Sequence, residues 1–330
     1  MKSDGSKIIP MPEIEQEILD AIDEHKLLIF VGAGLSCLFG YPLWGEFGNK
    51  LIDECIKQNF LSYSDKKTLN SGHFSPMKIV TIAYKELENN LGKDKAREIT
   101  IKNLCAKKEN KKLIEEVAIL LSHYGAKIIT TNADLSLDKT ISFSEKQIID
   151  DFIKEKIDSN RLYYSDLVHI HGSIKDFNSM VFTSEQYAKA YMPNTFFGEN
   201  IIDLLKDKTV LFIGYGVNEF ELIKYFLNSN LGDEKSEKKT LFILNGYLDC
   251  EEFERKFDEE YYDSIGIKLL PFSRETNDYD ALIDVLRKWD EEITGKTLAH
   301  LNVSDKIKNA FNCPPNEASE KYVKGALKNE

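Results

Sequence analysis

Short apolar runs that stop abruptly on glycine, asparagine or histidine constrain this chain more than any other feature. Leu27-Leu28-Ile29-Phe30-Val31 leads straight into Gly32-Ala33-Gly34-Leu35-Ser36. Ala126–Thr131 ends on Asn132-Ala133-Asp134, Leu167–Ile170 on His171-Gly172, and Thr209–Ile213 on Gly214-Tyr215-Gly216. Thr240–Leu244 ends on Asn245-Gly246, and Ile267–Pro271 completes the set. An unbroken apolar run of this length, followed by turn residues, is what a strand covered on both faces requires. Stretches with helical character separate the runs. Glu13–His25 carries Ile14, Ile18, Ala21 and Ile22 at helical spacing, and Lys95–Leu104, Lys111–Ser122, Glu219–Leu227 and Tyr279–Trp289 also read as helix. Strand and helix in alternation predict an α/β fold, a doubly wound, Rossmann-like parallel sheet. Residues 45 to about 122 read as an inserted helical subdomain within a domain spanning 1–295. Beyond Gly295 the chain turns polar and Cys313-Pro314-Pro315 breaks any helix, so 296–330 reads as an appendage or tail.

Composition narrows the class. Across 330 residues, 43 Lys and Arg face 55 Asp and Glu, a net charge of −12 that opposes nucleic acid as substrate. Leu27–Phe39, the longest nearly uncharged apolar stretch, falls short of the roughly 20 residues that span a bilayer. The first residues show no apolar stretch with a small-residue cleavage site, so a cytoplasmic protein is expected. Five cysteines with no C-x-x-C argue against a zinc ribbon and a disulfide framework, and no metal site is expected. No G-x-x-x-x-G-K-[ST] is present, so the chain carries no ATPase loop of that kind.

In an open parallel sheet, ligands gather outside the carboxyl ends of the strands. Gly32-Ala33-Gly34 permits close approach of backbone N–H groups to a pyrophosphate, and the helix after it adds a favourable dipole. Gly-x-Gly alone is not specific. The dehydrogenase fingerprint would place a third glycine where Cys37 stands and an acidic residue at the end of the second strand. Asp53 has the right distance but lies in the helix-like Leu51–Cys55, so that version fails. Asn132 offers an uncharged amide that can hold a ribose hydroxyl or an ordered water beside a cationic pyridinium. Asp134 can orient that amide or the glycine-loop backbone; the plainer role for both is to cap a turn. His171 has the one side chain that titrates near neutrality, so it can take a proton from a ribose hydroxyl or water. Gly172 beside it is expected to leave its ring uncrowded. His169 shares the same strand face; His171 is preferred as the base because it lies nearer the strand's carboxyl end. A satisfied structural histidine is the alternative for either.

Taken in order, Gly32-Ala33-Gly34-Leu35-Ser36, Gly40-Tyr41-Pro42, Thr131-Asn132-x-Asp134 and His171-Gly172 resemble the sirtuins. They are most similar to the divergent sirtuin-like NAD hydrolases of bacterial antiphage defence. Phe182-Thr183-Ser184-Glu185-Gln186-Tyr187 and Val210–Gly216 strengthen that likeness, which runs from about residue 13 to 290. The resemblance implies a sirtuin-type fold in which Gly32, Ala33, Gly34 and Ser36 hold the NAD phosphates. It implies Asn132 as the asparagine required for cleaving the nicotinamide–ribose bond, Asp134 as an organiser of the pocket, and His171 as the base. Gly214 and Asn245 fall where the family contacts the adenosine half. Three departures stand out. The four-cysteine zinc module of the deacylases is missing, Leu43-Trp44-Gly45 replaces an aromatic–arginine pair, and Ala133 stands where the bacterial branch usually has tyrosine.

The function these residues imply is NAD hydrolysis to nicotinamide and ADP-ribose, with NAD as substrate and no metal. An unregulated enzyme of this kind would kill its own cell. The resemblance therefore implies an effector of abortive infection, held inactive until a protein partner or assembly into a homo-oligomer triggers it. That partner would be an ATPase such as a HerA-type helicase, or a nucleotide-processing protein. A module that senses NAD or ADP-ribose nucleotides without cleaving them is the alternative from another class. Protein-lysine deacylation ranks below it, since the zinc module that shapes the acyl-peptide groove is missing.

Overall fold

A computed structural model describes residues 9–138, 147–150, 152–159, 162, 165–192, 195–216, 223–225 and 240–295. Seven strands, β1 (Leu27–Val31), β2 (Lys127–Thr130), β3 (Gln147–Ile149), β4 (Ser165–His169), β5 (Thr209–Ile213), β6 (Leu241–Tyr247) and β7 (Ile267–Ser273), form one sheet in the order β3-β4-β2-β1-β5-β6-β7. Every neighbouring pair is parallel. The doubly wound α/β fold expected from the sequence is therefore the fold observed. Six of the strands coincide with the six apolar runs to within a few residues. The seventh, β3, has three residues and sits at the sheet edge, too short to leave a pattern. The Glu219–Leu227 helix falls largely outside the described residues, as does all of 296–330.

Parallel pairing needs long crossovers, and helices supply them on both faces. Period two then divides each strand between two cores. Leu27, Ile29 and Val31 pack with the first helix, α1 (Gln16–Asp23), with α7 (Lys111–His123) and with Trp289. Leu28 and Phe30 pack on the opposite face with Phe152, Phe197 and Phe212. All five β1 residues are buried, as a central strand demands.

A third core lies beyond the sheet. Helices α3 (Trp44–Lys57), α5 (Pro76–Leu91) and α6 (Lys93–Leu104) enclose Phe47, Leu51, Ile52, Val80, Ala83 and Leu87. Met180 and Phe182, from the segment after β4, insert into the same cluster. That insertion sets the helices against the carboxyl ends of β1, β2 and β4. Helix α7 belongs instead to the sheet core, through Ile114, Val117 and Leu121. Among the described residues, no helix is long and apolar enough to cross a membrane.

Candidate active site

The strand order reverses at β1. The chain builds β2, β3 and β4 on one side of it and β5, β6 and β7 on the other. Outside the carboxyl ends at this switch point, where such folds bind ligands, lie two neighbouring cavities. The larger, about 780 Å³, is lined by Ala33, Gly34, Gly214, Asn245 and Tyr279 among others. That volume falls within the range of about 300–1,000 Å³ usual for small-molecule sites. The smaller, about 40 Å³, is lined by Ser36, Asn132 and Asp134 and walled by Phe47, Met180 and Phe182. It has room for a few waters. Ala33, Trp44 and Thr131 line both, so the Trp44 indole stands at their junction.

Asn132 is held by a chain of hydrogen bonds that fixes which way its amide faces. Its Nδ2 donates to the Gly32 carbonyl at 2.9 Å and to Ser36 Oγ at 2.8 Å. A carbonyl can only accept, so the nitrogen must be the atom on that side. Both amide hydrogens are then committed, and Oδ1 is the atom Asn132 offers to a ligand. Ser36 passes its own hydrogen to Asp134 Oδ2 at 2.6 Å. Asp134 is anchored in turn by the Ser136 N–H at 3.0 Å and the Ser136 hydroxyl at 2.5 Å. Ser36 and Asp134 are both buried. Asp134 therefore orients the amide through Ser36, and the Ser36 hydroxyl has no hydrogen left for a phosphate.

The glycines serve packing. Gly34 N–H donates to the Gly214 carbonyl at 2.8 Å. A Cβ on Gly214, which sits at φ +61°, would lie 2.4 Å from the Leu35 nitrogen. The loops after β1 and β5 touch backbone to backbone, and the Gly34 N–H expected to face a pyrophosphate is spent on that contact. Asn245 donates to the Tyr247 hydroxyl at 2.8 Å and lines the larger cavity beside Gly246. None of the described residues lining that cavity is Lys or Arg; its charged members are Asp278 and Asp280. Asp53 lies in α3 and pairs with Lys66, in keeping with the failure of the dehydrogenase fingerprint.

The two histidines part company. His171 is buried between Tyr187 and Tyr191, with both rings edge-on to the imidazole. Its Nε2 pairs with the Tyr191 hydroxyl at 2.8 Å. This corrects the expectation of an uncrowded ring: past the end of β4 the pleat no longer sets side-chain direction. Burial lowers the His171 pKa to about 3, so the ring is neutral at pH 7. It lines neither cavity, although its carbonyl accepts from Val181 N–H, and Val181 lines the smaller one.

His169 is the histidine that touches Asn132. Its Nδ1 lies 2.9 Å from the Asn132 carbonyl and its Nε2 3.0 Å from Asp138 Oδ2. Burial works against its charge, but the hydrogen bond and charge of Asp138 outweigh burial and raise its pKa above the ordinary 6.5. Sequence reasoning missed this contact, and also the tyrosines around His171. Tyr187 and Tyr191 stand four residues apart after the capping box at Thr183, a helical spacing that placed them on one face. Ligand atoms of Asp138, Asp150 and His169 lie within 4.8 Å of one another. Both ring nitrogens of His169 are engaged, however, and the Lys175 ammonium is 2.5 Å from Asp138 and 3.8 Å from Asp150. With Lys175 the group forms an ion cluster.

Comparison with known proteins agrees with the fold. A family model described as a SIR2-like domain matches residues 126–270. The NAD(+) hydrolase ThsA of Enterococcus faecium is 26% identical over 300 residues, covering 84% of this chain and 58% of that protein. Defense-associated sirtuin 2 of Bacillus subtilis is 23% identical over 275 residues, 82% of this chain and 26% of that protein. A ThsA of Acinetobacter baumannii is 26% identical over 206 residues, 61% of this chain and 39% of that protein. The chain thus spans at most 58% of the length of these curated relatives. The matched segment runs from the start of β2 into β7, so this part of the parallel sheet is similar to a SIR2-like domain.

Proposed function

We propose that the chain hydrolyses NAD at the nicotinamide–ribose bond, releasing nicotinamide and ADP-ribose. The observation that carries this reading is the fixed amide of Asn132, which lines a cavity at the sheet's switch point with both amide hydrogens already committed, leaving Oδ1 for a ligand. Nicotinamide leaves as a neutral ring, and positive charge builds on the ribose. A carbonyl oxygen held beside that carbon stabilises the charge and accepts a hydrogen bond from a ribose hydroxyl or the attacking water. Its orientation is set before substrate arrives, so little reorganisation is needed in the transition state. The larger cavity has the volume for the rest of the dinucleotide, with Gly214 and Asn245 toward its adenosine half. The smaller one must widen to admit nicotinamide, and Trp44 at the junction is the wall placed to move.

His171 enters the proposal as the base, in its neutral form. Its ring lies behind the pocket wall, so this role requires Tyr191 to give way when substrate binds. We expect Asn132→Ala and His171→Ala each to lower nicotinamide release from NAD by at least about 10²-fold. Normal turnover in purified His171→Ala would remove His171 from the mechanism; normal turnover in Asn132→Ala would remove the mechanism itself. Nicotinamide release without added acylated peptide separates hydrolysis from deacylation, and its absence with NAD bound would identify a sensor.

The names of the relatives support a place for this activity in defence, as an effector that depletes NAD in an infected cell. Such an enzyme must be restrained. The proposal accordingly includes a cytoplasmic homo-oligomer or a complex with an activating ATPase or nucleotide-processing protein. Residues 45–122 and 296–330 are its candidate contact surfaces.

A further inference from the structure

The contact between His169 and Asn132 carries a consequence for the protonation state of the site. The Asn132 carbonyl has no hydrogen to give, so His169 Nδ1 must donate to it. Asp138 accepts the Lys175 ammonium on one oxygen, as a carboxylate does, and its other oxygen faces His169 Nε2. With acceptors at both ring nitrogens, the imidazole carries two hydrogens and a positive charge. Asp150 adds to the negative surroundings: its Oδ1 is buried without a hydrogen-bond partner, 4.0 Å from Nε2. Two carboxylates, one ammonium and one imidazolium then balance. The cluster lies directly behind the backbone of the residue whose side chain faces the cavity.

We propose that His169, as an imidazolium clamped by Asp138, is a positioning residue that holds the Asn132 peptide and so keeps its carboxamide aimed at the substrate. This rests on the reading of Asn132 as the group that works on the glycosidic carbon. The Asn132 side chain is tied to Gly32 and Ser36, and its main chain is tied from the other side by His169. A charge-assisted bond is stronger than a neutral one, and it stays rigid in a buried setting. His169 touches neither cavity, so it acts only through Asn132.

Two substitutions of similar size separate positioning from mere ion pairing. In His169→Asn the amide nitrogen sits where Nδ1 was and still donates to Asn132. In His169→Gln the amide nitrogen sits where Nε2 was, so the Asp138 partner is kept and the Asn132 contact is lost. We expect His169→Asn to keep kcat for nicotinamide release within about threefold and His169→Gln to lower it about 10- to 100-fold, both with nearly unchanged KM. The reverse order, or equal losses, overturns the proposal. A second measurement does not depend on turnover. Nitrogen NMR of the labelled protein should show both His169 ring nitrogens protonated at pH 7. The Ala133 amide, which shares the peptide of the accepting carbonyl, should shift in step when that ring titrates. A neutral ring at pH 7, or an Ala133 signal indifferent to the titration, overturns it equally. A wild-type protein that releases no nicotinamide would sink the hydrolase reading alone and leave the NMR result to decide the clamp.

Discussion

Replacing Ser36 with alanine tests the chain Asp134–Ser36–Asn132 at its middle. The substitution removes one methyl-sized hydroxyl's worth of bonding and leaves helix propensity improved. It deletes a short bond from a buried hydroxyl to a carboxylate, 2.6 Å, and an amide-to-hydroxyl bond of 2.8 Å. Bonds to charged groups contribute about 1.5–3 kcal/mol and neutral ones about 0.5–1.5 kcal/mol. Asp134 keeps two bonds from Ser136, so it is not stripped of partners. The expected loss of stability is about 2–4 kcal/mol, read as a lower urea midpoint. The amide meanwhile keeps its Gly32 anchor but loses its second, and kcat for nicotinamide release should fall about 10- to 100-fold. A variant with the wild-type urea midpoint and wild-type turnover would refute the reasoning. Lost stability with full kcat would refute the orienting role and leave Ser36 a structural residue.

Further expectations concern the loop contact and the two histidines. Gly214 and Gly125 share a left-handed backbone, φ +61° and +58°, but only Gly214 has backbone against its Cβ position. Gly125→Ala should cost about 1 kcal/mol, and Gly214→Ala clearly more, because the loops after β1 and β5 must separate; equal urea midpoints would show that the close approach is not needed. The histidines should affect stability with opposite sign. His171 has a depressed pKa, so the unfolded chain binds the extra proton, and stability falls as pH drops from about 6.5 toward about 3, by up to about 1.4 kcal/mol per pH unit. His169 has a raised pKa, so its contribution is complete below pH 6.5 and is lost as pH rises through its folded value. His171→Asn should flatten the acid side of the profile and leave the alkaline side unchanged; an unaltered acid slope would contradict the buried, neutral ring.

Sequence by itself determined six of the seven strands and the fold class, because burial on both faces leaves a mark that depends on neighbours in the chain alone. Leu27–Val31 could be read as a central strand since each of its residues is apolar and Gly32 follows at once. The same locality placed Asn132, Asp134 and Gly214 just past strand ends, and the sheet collects them around the switch point with Asn245, which lies inside β6 rather than after it. Three matters were decided only by the tertiary structure. Ser36 reaches Asp134 across 98 positions of sequence, a pairing that no local pattern encodes. Gly34 spends its N–H on Gly214 because β1 and β5 are neighbours in the sheet. His169 meets Asn132 while His171 turns into the tyrosines. The pleat gives the two histidines one face, yet that rule holds only while the strand lasts. Which ring finds a carbonyl and which finds a phenol depends on what β2 and the segment after β4 bring alongside. Packing between distant segments sets those partners, and with them the charge each ring carries.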